Sequence, residues 1–223
     1  MASMGKLIDR GRRERAREQR AVRKQRILNE ARSIFASMSY TEVTLDHIGQ
    51  RADVDRGVAS MFFGSKEEIF LLVLRNELDV WYTALADELA DVPGILDPSE
   101  LAGLIARSIS VPDLLGRLLS LTPVVLEQNM EPVEVYRFQR WRHDRMTEVG
   151  GLLERAGALE AGSGFHLLYL VQLLTAGLEP AANPRGAAAF DRDDADLAGL
   201  VIDLETELRS LLAAFLMAER SAV

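Results

Sequence analysis

The sequence predicts an all-α protein, in which a small three-helix head is joined through a long fourth helix to a C-terminal bundle of about five to six helices. Three observations predict this fold. Apolar residues recur at a spacing near 3.6 in almost every segment, and no run alternates between apolar and polar residues strictly enough to form a strand. The chain of 223 residues is 48% hydrophobic, which is typical of an ordinary globular protein.

The head is predicted to contain three helices. The first covers residues 22–39, because its apolar residues form one stripe at helical spacing. This stripe consists of Ile27, Ala31, Ile34, Phe35 and Met38. A short second helix runs from about Leu45 to Arg51, with Thr44 as its N-cap. Asp53 is expected to take the left-handed conformation in the turn that follows, and Asp55 caps a third helix that extends through Phe63.

The remainder of the chain is also predicted to be helical. The sequence Ser-Lys-Glu-Glu at residues 65–68 is a capping box that begins a long fourth helix, which ends near Leu89. Proline and glycine interrupt the pattern beyond Pro93. The later helices are expected at about 98–109, 112–129 with a bend near Pro123, 132–156, 163–179 and 194–219. The segment "PAANPRGAAAFDRDD" is a predicted loop between the last two.

The formal net charge of −8 hides an asymmetry along the chain. Residues 1–75 hold 15 Lys and Arg against 10 Asp and Glu, a net of +5, and the remaining residues hold 11 against 24, a net of −13. A basic segment attached to an acidic body favours contact between that segment and a polyanion. An arginine-rich helix face in solvent would give the same distribution of charge.

Composition also limits the class of protein. The chain has no cysteine, so disulfides and thiolate metal sites are excluded. The histidines, His47, His143 and His166, have no metal-ligand spacing, and neither a metal nor another cofactor is predicted. The N-terminus lacks the apolar region of a signal peptide, and Gln172 interrupts the longest apolar stretch. We expect a cytoplasmic protein that does not enter a membrane.

Residues 45–63 have the pattern of a helix-turn-helix, whose second helix enters the major groove of DNA. Gly57 removes a side chain at a point where DNA would collide with one, and Arg56 supplies a donor for a phosphate or a guanine. Phe63 is expected to face inward and to fix this helix, and Lys66 adds a cation at the start of the fourth helix. The predicted DNA contacts are Thr44, Arg56, Gly57, Val58, Ser60, Met61, Phe62 and Lys66.

Residues 26–74 carry motifs of a known family. They are Ile-Leu-x-x-Ala-x-x-x-Phe in the first helix, Thr-Leu-x-x-Ile-x-x-x-Ala in the second, and Ser-Lys-Glu-Glu at the start of the fourth. In these motifs the chain resembles the N-terminal domain of TetR-type transcriptional repressors. It departs from the usual pattern where Val58 replaces Thr or Ser, Ala59 replaces Leu, and Ser60 and Phe62 replace tyrosines that commonly donate to phosphates. Asp53 replaces the usual turn glycine.

The arginine-rich lead-in, "DRGRRERAREQRAVRKQR", has three interpretations. It could be a mobile arm that contacts phosphates or the adjacent minor groove. It could equally be a disordered tail, or a helical extension in which Glu14 and Glu18 pair with arginines. The domain prediction is a basic, flexible arm at 1–20, a helix-turn-helix domain at 21–65, and a helical effector-binding and dimerisation domain at 66–223.

The last two helices are predicted to form a homodimer interface. Their apolar residues cover more than one stripe, so we expect them to contact both the rest of the body and a second copy of the chain. The residues assigned to this interface are Leu170, Leu174, Leu204, Leu208, Leu211, Leu212 and Phe215. A monomer in which these helices are only core is the alternative.

A small-molecule pocket is predicted in the body, because large or polar groups stand there on otherwise apolar helices. The candidate ligand-binding residues are Trp81, Tyr82, Gln128, Tyr136, Trp141, His166, Tyr169 and Gln172. Four further arginines of the body are interpreted as a solvated face rather than an anion site. They are Arg137, Arg140, Arg142 and Arg145.

The resemblance implies a dimeric, sequence-specific DNA-binding regulator, a repressor released from a palindromic operator by a small-molecule effector. The alternative is a regulator of the same fold without small-molecule control, working as an activator or through a protein partner. An enzyme is not expected, because the sequence has no glycine-rich phosphate loop, no metal-ligand spacing and no recognisable nucleophile and base.

Overall fold

The computed structural model describes residues 2–111, 113–185, 198–200 and 202–221. Within these ranges the chain is helical and contains no strand, which confirms the predicted all-α class. Contacts divide it into two units, Met1–Val73 and Leu74–Val223, and the division falls inside the long fourth helix. No helix of the described ranges is long and apolar enough to cross a membrane.

The first unit contains three helices and the beginning of a fourth. Helix α1 is Ala2–Ser37, α2 is Leu45–Arg51, α3 is Arg56–Phe62 and α4 is Lys66–Ala90. Four of the five residues of the predicted stripe, Ile27, Ala31, Ile34 and Phe35, are buried. The fifth, Met38, is half-buried and follows the last residue of α1. Ile48 of α2, Ala59 of α3 and Phe70 of α4 complete the core of this unit.

Helix α1 is longer than the helix predicted over residues 22–39. It begins at Ala2, so the arginine-rich lead-in, where a basic and flexible arm is predicted at 1–20, continues the helix. The structure therefore has the helical alternative. The sequence between residues 10 and 26 favours this because it is rich in Arg, Glu, Ala and Gln, which are strong helix formers.

The turn between α2 and α3 has the predicted geometry. Asp53 has a φ of 52°, in the left-handed region. The amide of Asp53 donates to the carbonyl of Gln50 (3.2 Å) and the amide of Val54 donates to that of Gly49 (3.0 Å). These are the two bonds of a Schellman motif, which satisfies the last carbonyls of α2 and sets the direction of α3.

Three predicted caps have different outcomes. Thr44 caps α2, and its hydroxyl oxygen accepts from the amide of His47 at 3.2 Å. Asp55 occupies the predicted N-cap position of α3, but its side chain does not form the capping hydrogen bond. At α4 the amide of Glu68 donates to Ser65 Oγ, but the Glu68 carboxylate accepts from the amide of Gly64, where a capping box would use Ser65.

In its described residues, the second unit contains the rest of α4 and five further α-helices. Helix α5 is Pro98–Ser110, α6 is Asp113–Leu121, α7 is Pro132–Gly157, α8 is Ser163–Ala182 and α9 is Leu204–Ser221. Helix α5 packs against α9, and α8 packs against both α6 and α7. A single turn of 3₁₀-helix, Ala198–Leu200, precedes α9. The helix predicted at 194–219 therefore begins later, and most of the predicted loop lies outside the described residues.

The helix predicted at 112–129 is divided rather than bent. Helix α6 ends at Leu121, and a turn of π-helix, Thr122–Leu126, and a turn of 3₁₀-helix, Glu127–Asn129, follow it. Pro123 has no N–H to donate, and its ring clashes with the carbonyl of a regular α-helix. The local change of helix type therefore falls at the proline that the sequence marked.

Helices α7 and α8 approach each other closely at two glycines. A Cβ on Gly150 would lie 2.7 Å from the backbone nitrogen of Phe165, and a Cβ on Gly164 would overlap the backbone of Gly150. The Glu154 carboxylate accepts from the amides of Gly162 (2.8 Å) and Gly164 (3.1 Å), at the N-terminus of α8. Glycine is thus required here because the two backbones touch.

Candidate functional site

Helix α3 exposes one side of its short length. Gly57, Ser60 and Met61 are exposed, Val58 and Phe62 are half-buried, and Ala59 is buried. Met61 is 76% exposed, a large fraction for a side chain of this kind. The inward side, which ends in the buried Phe63, anchors the helix as predicted. Arg56 begins the helix, but its side chain lies outside the described residues.

Gly57 has no structural role within the chain. A Cβ at this position would meet no atom within 4 Å, and the backbone is helical, so the fold would accept alanine. Glycine in a helix is also less stable than alanine by about 0.5–1 kcal/mol. Among the described residues, neither packing nor backbone conformation therefore requires glycine at this position.

Lys66 is held by the loop that precedes α2. Its ammonium donates to the carbonyls of Tyr40 (3.1 Å) and Val43 (3.0 Å), and it lies 4.2 Å from the centre of the Tyr40 ring. The Tyr40 hydroxyl donates to Glu67 at 2.6 Å. Burial raises the pKa of Tyr40, and the Glu67 carboxylate raises it further. Lys66 is a predicted DNA contact, but two of its three N–H groups donate to carbonyls of its own chain.

Two cations of α1 lie over the aromatic residues at the end of α3. The Arg20 guanidinium is 5.3 Å from the centre of the Phe62 ring, and the Lys24 ammonium is 5.3 Å from that of Phe63. Both distances are in the range of a cation–π contact. Neither Arg20 nor Lys24 is among the residues predicted to lie beside α3. The spacing of Arg20 and Lys24 from the apolar stripe of α1 is the sequence signal that would have predicted these contacts.

The charge of the turn is compensated locally. Asp53 stands where the turn usually has a glycine, and its carboxylate lies 3.4 Å from the Arg26 guanidinium. Arg51 at the end of α2 pairs with Glu30 of α1 at 3.2 Å. Both pairs are exposed, so they contribute little to stability. Their effect is to pair one carboxylate of the turn and one of α1 with cations of the same unit.

In the second unit, four of the eight candidate ligand-binding residues lie together. The Tyr82 ring centre is 4.9 Å from that of Trp81 and 6.4 Å from that of Trp141, and Gln172 Nε2 donates to the Tyr82 hydroxyl at 3.0 Å. Trp81, Tyr82 and Gln172 are buried. Burial raises the pKa of Tyr82, and the nearby charge of Arg142 opposes this effect.

The other four candidates are exposed, and of these Tyr169 contacts Arg142, whose charge lies near Tyr82. Gln128 is exposed and donates to the carbonyl of Pro123, Tyr136 is 68% exposed, and the exposed His166 ring lies 5.8 Å from Phe215. Tyr169 is exposed on α8. Large polar groups on apolar helices were the signal for all eight, and this signal does not distinguish a core position from a surface position.

Two polar groups near Tyr82 lack a full set of partners. The Gln172 side-chain oxygen is buried and has no hydrogen-bond donor in the described part of the chain. The half-buried Arg142 guanidinium has no carboxylate partner among the described residues, and lies 5.8 Å from the Phe138 ring centre and 5.6 Å from that of Tyr169. By contrast, Arg145 pairs with acidic side chains at 3.1 and 2.6 Å.

The predicted dimer residues divide into buried and accessible ones. Leu208 and Leu212 have no exposed surface in the single chain, so their assignment to an interface was wrong: α9 buries this stripe against its own unit, chiefly α5. Leu170, Leu174, Leu204 and Phe215 are half-buried. Leu211 is 44% exposed, and Leu173 on α8, which the prediction omitted, is 52% exposed.

The first unit has the arrangement of a helix-turn-helix DNA-binding domain: α1 packs on α2, α2 packs on α3, a tight turn joins the two short helices, and α3 leaves one side exposed. The sequence profile described as "Bacterial regulatory proteins, tetR family" matches residues 27–73. The profile described as "Tetracyclin repressor-like, C-terminal domain" matches residues 75–217. The chain belongs to the TetR family of transcriptional regulators, whose members are DNA-binding regulators and not enzymes. The predicted resemblance is thereby confirmed.

Comparisons with individual proteins agree with this assignment. The chain is 28% identical over 78 residues to the HTH-type transcriptional regulator HbdR of Aromatoleum sp. (strain CIB), over 35% of this chain and 33% of HbdR. The match therefore spans about a third of the length of that relative.

Two solved structures share the fold. One is Thermus thermophilus FadR, a TetR-family transcriptional repressor in complex with lauroyl-CoA. It has a TM-score of 0.55 and 19% identity over 87% of this chain and 93% of that chain. The other is a TetR transcriptional regulator from Rhodococcus sp. RHA1, with a TM-score of 0.54 and 17% identity over 89% and 97% of the two chains.

Proposed function

We propose that the protein is a homodimeric repressor that binds a palindromic operator through α3 and is released when a small molecule binds the second unit. The observation that carries the DNA-binding role is the face of α3 that contains Gly57. It is exposed, it has no internal function, and its glycine removes a side chain that the fold would accept.

The exposed groups of this face are suited to duplex DNA. The Thr44 hydroxyl uses its oxygen for the α2 cap, which leaves its proton for a phosphate. Ser60 offers a short donor, and Met61 offers an apolar surface for a thymine methyl group. Phe62 has no hydroxyl with which to donate to a phosphate. The Arg20 guanidinium over its ring can donate instead, and it carries a positive charge that a tyrosine hydroxyl lacks.

Exposed apolar residues on the last two helices support a homodimer. Leu173 and Tyr169 of α8 and Leu211 of α9 are large apolar or aromatic side chains with exposed surface. One recognition helix gives few base contacts, and two copies related by a twofold axis can bind both half-sites of a palindrome. We expect the interface to use these residues in place of Leu208 and Leu212.

The cluster around Tyr82 supports an effector site in the second unit. A ligand there would meet aromatic rings, the guanidinium of Arg142, which has no carboxylate partner among the described residues, and the Gln172 side-chain oxygen, which has no donor among them. These groups favour an effector with an apolar body, an anionic group and a hydrogen-bond donor. The ligand-bound structure of FadR makes lauroyl-CoA a suitable first probe.

Release would follow from linkage between the two sites. Helix α4 is continuous from the first unit into the second and carries Trp81 and Tyr82 of the cluster. Two recognition helices must lie about 34–36 Å apart, or a multiple of this distance, to bind both half-sites. An effector that binds more tightly to a dimer with a different spacing favours that state and so lowers the affinity for DNA. The size of the effect is set by the difference between its affinities for the two states.

A binding-site selection on random duplexes tests the DNA-binding role. We expect a palindromic consensus with half-sites one helical turn apart or a multiple of it, and a binding stoichiometry of two chains per site. Arg56→Ala should cost about 1–3 kcal/mol at one base position if Arg56 contacts guanine. Enrichment of no sequence would contradict the proposed function.

The effector role has a separate test. A thermal-shift screen with lauroyl-CoA, free fatty acids and aromatic acids should give a stabilising ligand that also weakens operator binding. Arg142→Gln should weaken the binding of that ligand without changing the affinity of the protein for DNA. A regulator that binds its palindrome but responds to no ligand would instead support the alternative without small-molecule control.

A further inference from the structure

The N-terminal half of α1 carries a line of cations on one face. We call Arg13, Arg17, Arg20 and Lys24 the basic stripe. They follow the spacing i, i+4, i+7 and i+11, which places residues along a single face of an α-helix. Arg13, Arg17 and Arg20 are exposed and Lys24 is half-buried. Glu14 and Glu18 fall roughly a quarter turn or more away from this face, whereas Asp9, one turn before Arg13, falls on it.

The basic stripe continues the face by which α1 packs on the helix-turn-helix. Toward the C-terminus the same face carries Ile27, Ala31 and Ile34, all buried in the first unit. The contacts of Arg20 with Phe62 and of Lys24 with Phe63 show that this face is turned toward α3 at the point where it changes from apolar to basic. Helix α1 therefore projects a charged continuation of its packing face beyond the end of α3.

We propose that the basic stripe binds the phosphates of the duplex that flanks the half-site held by α3. This inference rests on the proposed DNA-binding function and adds a second contact surface to it. The rise from Arg13 to Lys24 is about 16 Å, the length of about five base pairs. An arginine that stacks on an aromatic ring still has N–H groups in its plane for hydrogen bonds, so Arg20 can contact Phe62 and a phosphate together.

A pair of matched variants separates the basic stripe from general positive charge. Arg13→Gln/Arg17→Gln removes two cations of the stripe, and Arg12→Gln/Arg15→Gln removes two from other faces of the same exposed segment. Both variants lose the same charge, and glutamine has a helix propensity similar to that of arginine. Circular dichroism and thermal unfolding should show both variants folded like the parent.

Binding is measured by fluorescence anisotropy on two duplexes, one with the selected site alone and one with ten base pairs added on each side. We expect the parent and the Arg12/Arg15 variant to bind the longer duplex more tightly. The Arg13/Arg17 variant should bind both duplexes equally, and on the longer one the slope of log K against log salt should fall by about 2 for each chain bound.

Three outcomes would overturn the inference. One is an equal affinity of the parent for the two duplexes, and another is an equal loss in both double variants, which would assign the effect to diffuse charge. The third is an Arg13/Arg17 variant that retains the full preference for the longer duplex. Failure of the parent to prefer any sequence would contradict the proposed function itself and is distinguished by the selection experiment.

Discussion

At the scale of single residues, Gly57 separates folding from function. We expect Gly57→Ala to raise the free energy of unfolding by about 0.5–1 kcal/mol, because alanine is the better helix former and its Cβ meets no atom within 4 Å. The same methyl group should weaken operator binding at least tenfold, since it occupies the space in which α3 approaches the bases. Urea unfolding and anisotropy measure the two effects.

The control for this change is Gly103→Ala in α5, where a Cβ would make an ordinary contact of 3.8 Å with Arg209. Gly103→Ala should raise the free energy of unfolding above that of the parent, as Gly57→Ala does, and should leave the affinity for DNA unchanged. An unchanged affinity in Gly57→Ala as well would remove the argument that the glycine serves DNA approach.

Tyr82 is a second residue whose contribution can be isolated. Its hydroxyl accepts one of the two N–H groups of Gln172, and the other is bound by the carbonyl of Leu168 at 2.9 Å. In Tyr82→Phe the first N–H stays buried without an acceptor, so the free energy of unfolding should fall by about 1–3 kcal/mol. Tyr136→Phe, at an exposed position, should leave it unchanged. Equal urea midpoints for both variants would show that the Tyr82 bond contributes nothing.

At the scale of helices and turns, sequence was most informative where the determinants are local. The bounds of α2 follow from Thr44 at its start and from the left-handed Asp53 after its end, both of which depend on adjacent backbone groups. The burial of Leu208 and Leu212 could not be predicted in this way. The wide apolar face of α9 indicates that two sides of the helix are covered. It does not indicate which side packs against the same chain.

The crossing of α7 and α8 gives a prediction at this scale. Gly150→Ala should lower the free energy of unfolding by about 1–3 kcal/mol, because its Cβ would overlap the backbone of α8 and the helices would have to separate. Gly151→Ala, one residue later, meets only the flexible end of Arg155 at 3.9 Å and should be neutral or stabilising. If chemical denaturation gives the two variants the same midpoint, close backbone contact does not govern this crossing.

The candidate sites illustrate what sequence leaves open at this scale. The outward residues of α3 were accessible to prediction because a seven-residue helix with Ala59 and Phe63 inward has only one outward side. The residues around Tyr82 come from α4, α7 and α8, so that their proximity depends on packing between distant segments. Periodicity identifies the apolar face of each helix but not the partner that each side chain meets.

At the scale of the whole molecule, the proposed function requires two copies of the chain. Leu173 on α8 has 52% of its surface exposed, and a buried glutamate at this position would lack a partner charge. Leu173→Glu should therefore convert a dimer into a folded monomer, with an unchanged helical circular dichroism spectrum. Light scattering after size-exclusion chromatography measures the mass directly, and the chain mass of 24.7 kDa sets the value expected for the monomer.

The same variant connects assembly with recognition. A monomer presents one α3, so Leu173→Glu should bind a full palindrome no more tightly than an isolated half-site, whereas the parent should prefer the palindrome strongly. Ile95→Glu, at an exposed apolar position outside α8 and α9, introduces the same charge and should retain both the dimer and the preference. A Leu173→Glu protein that remains dimeric would move the interface away from α8, and a parent that is monomeric while selecting a palindrome would require the DNA itself to bring the two copies together.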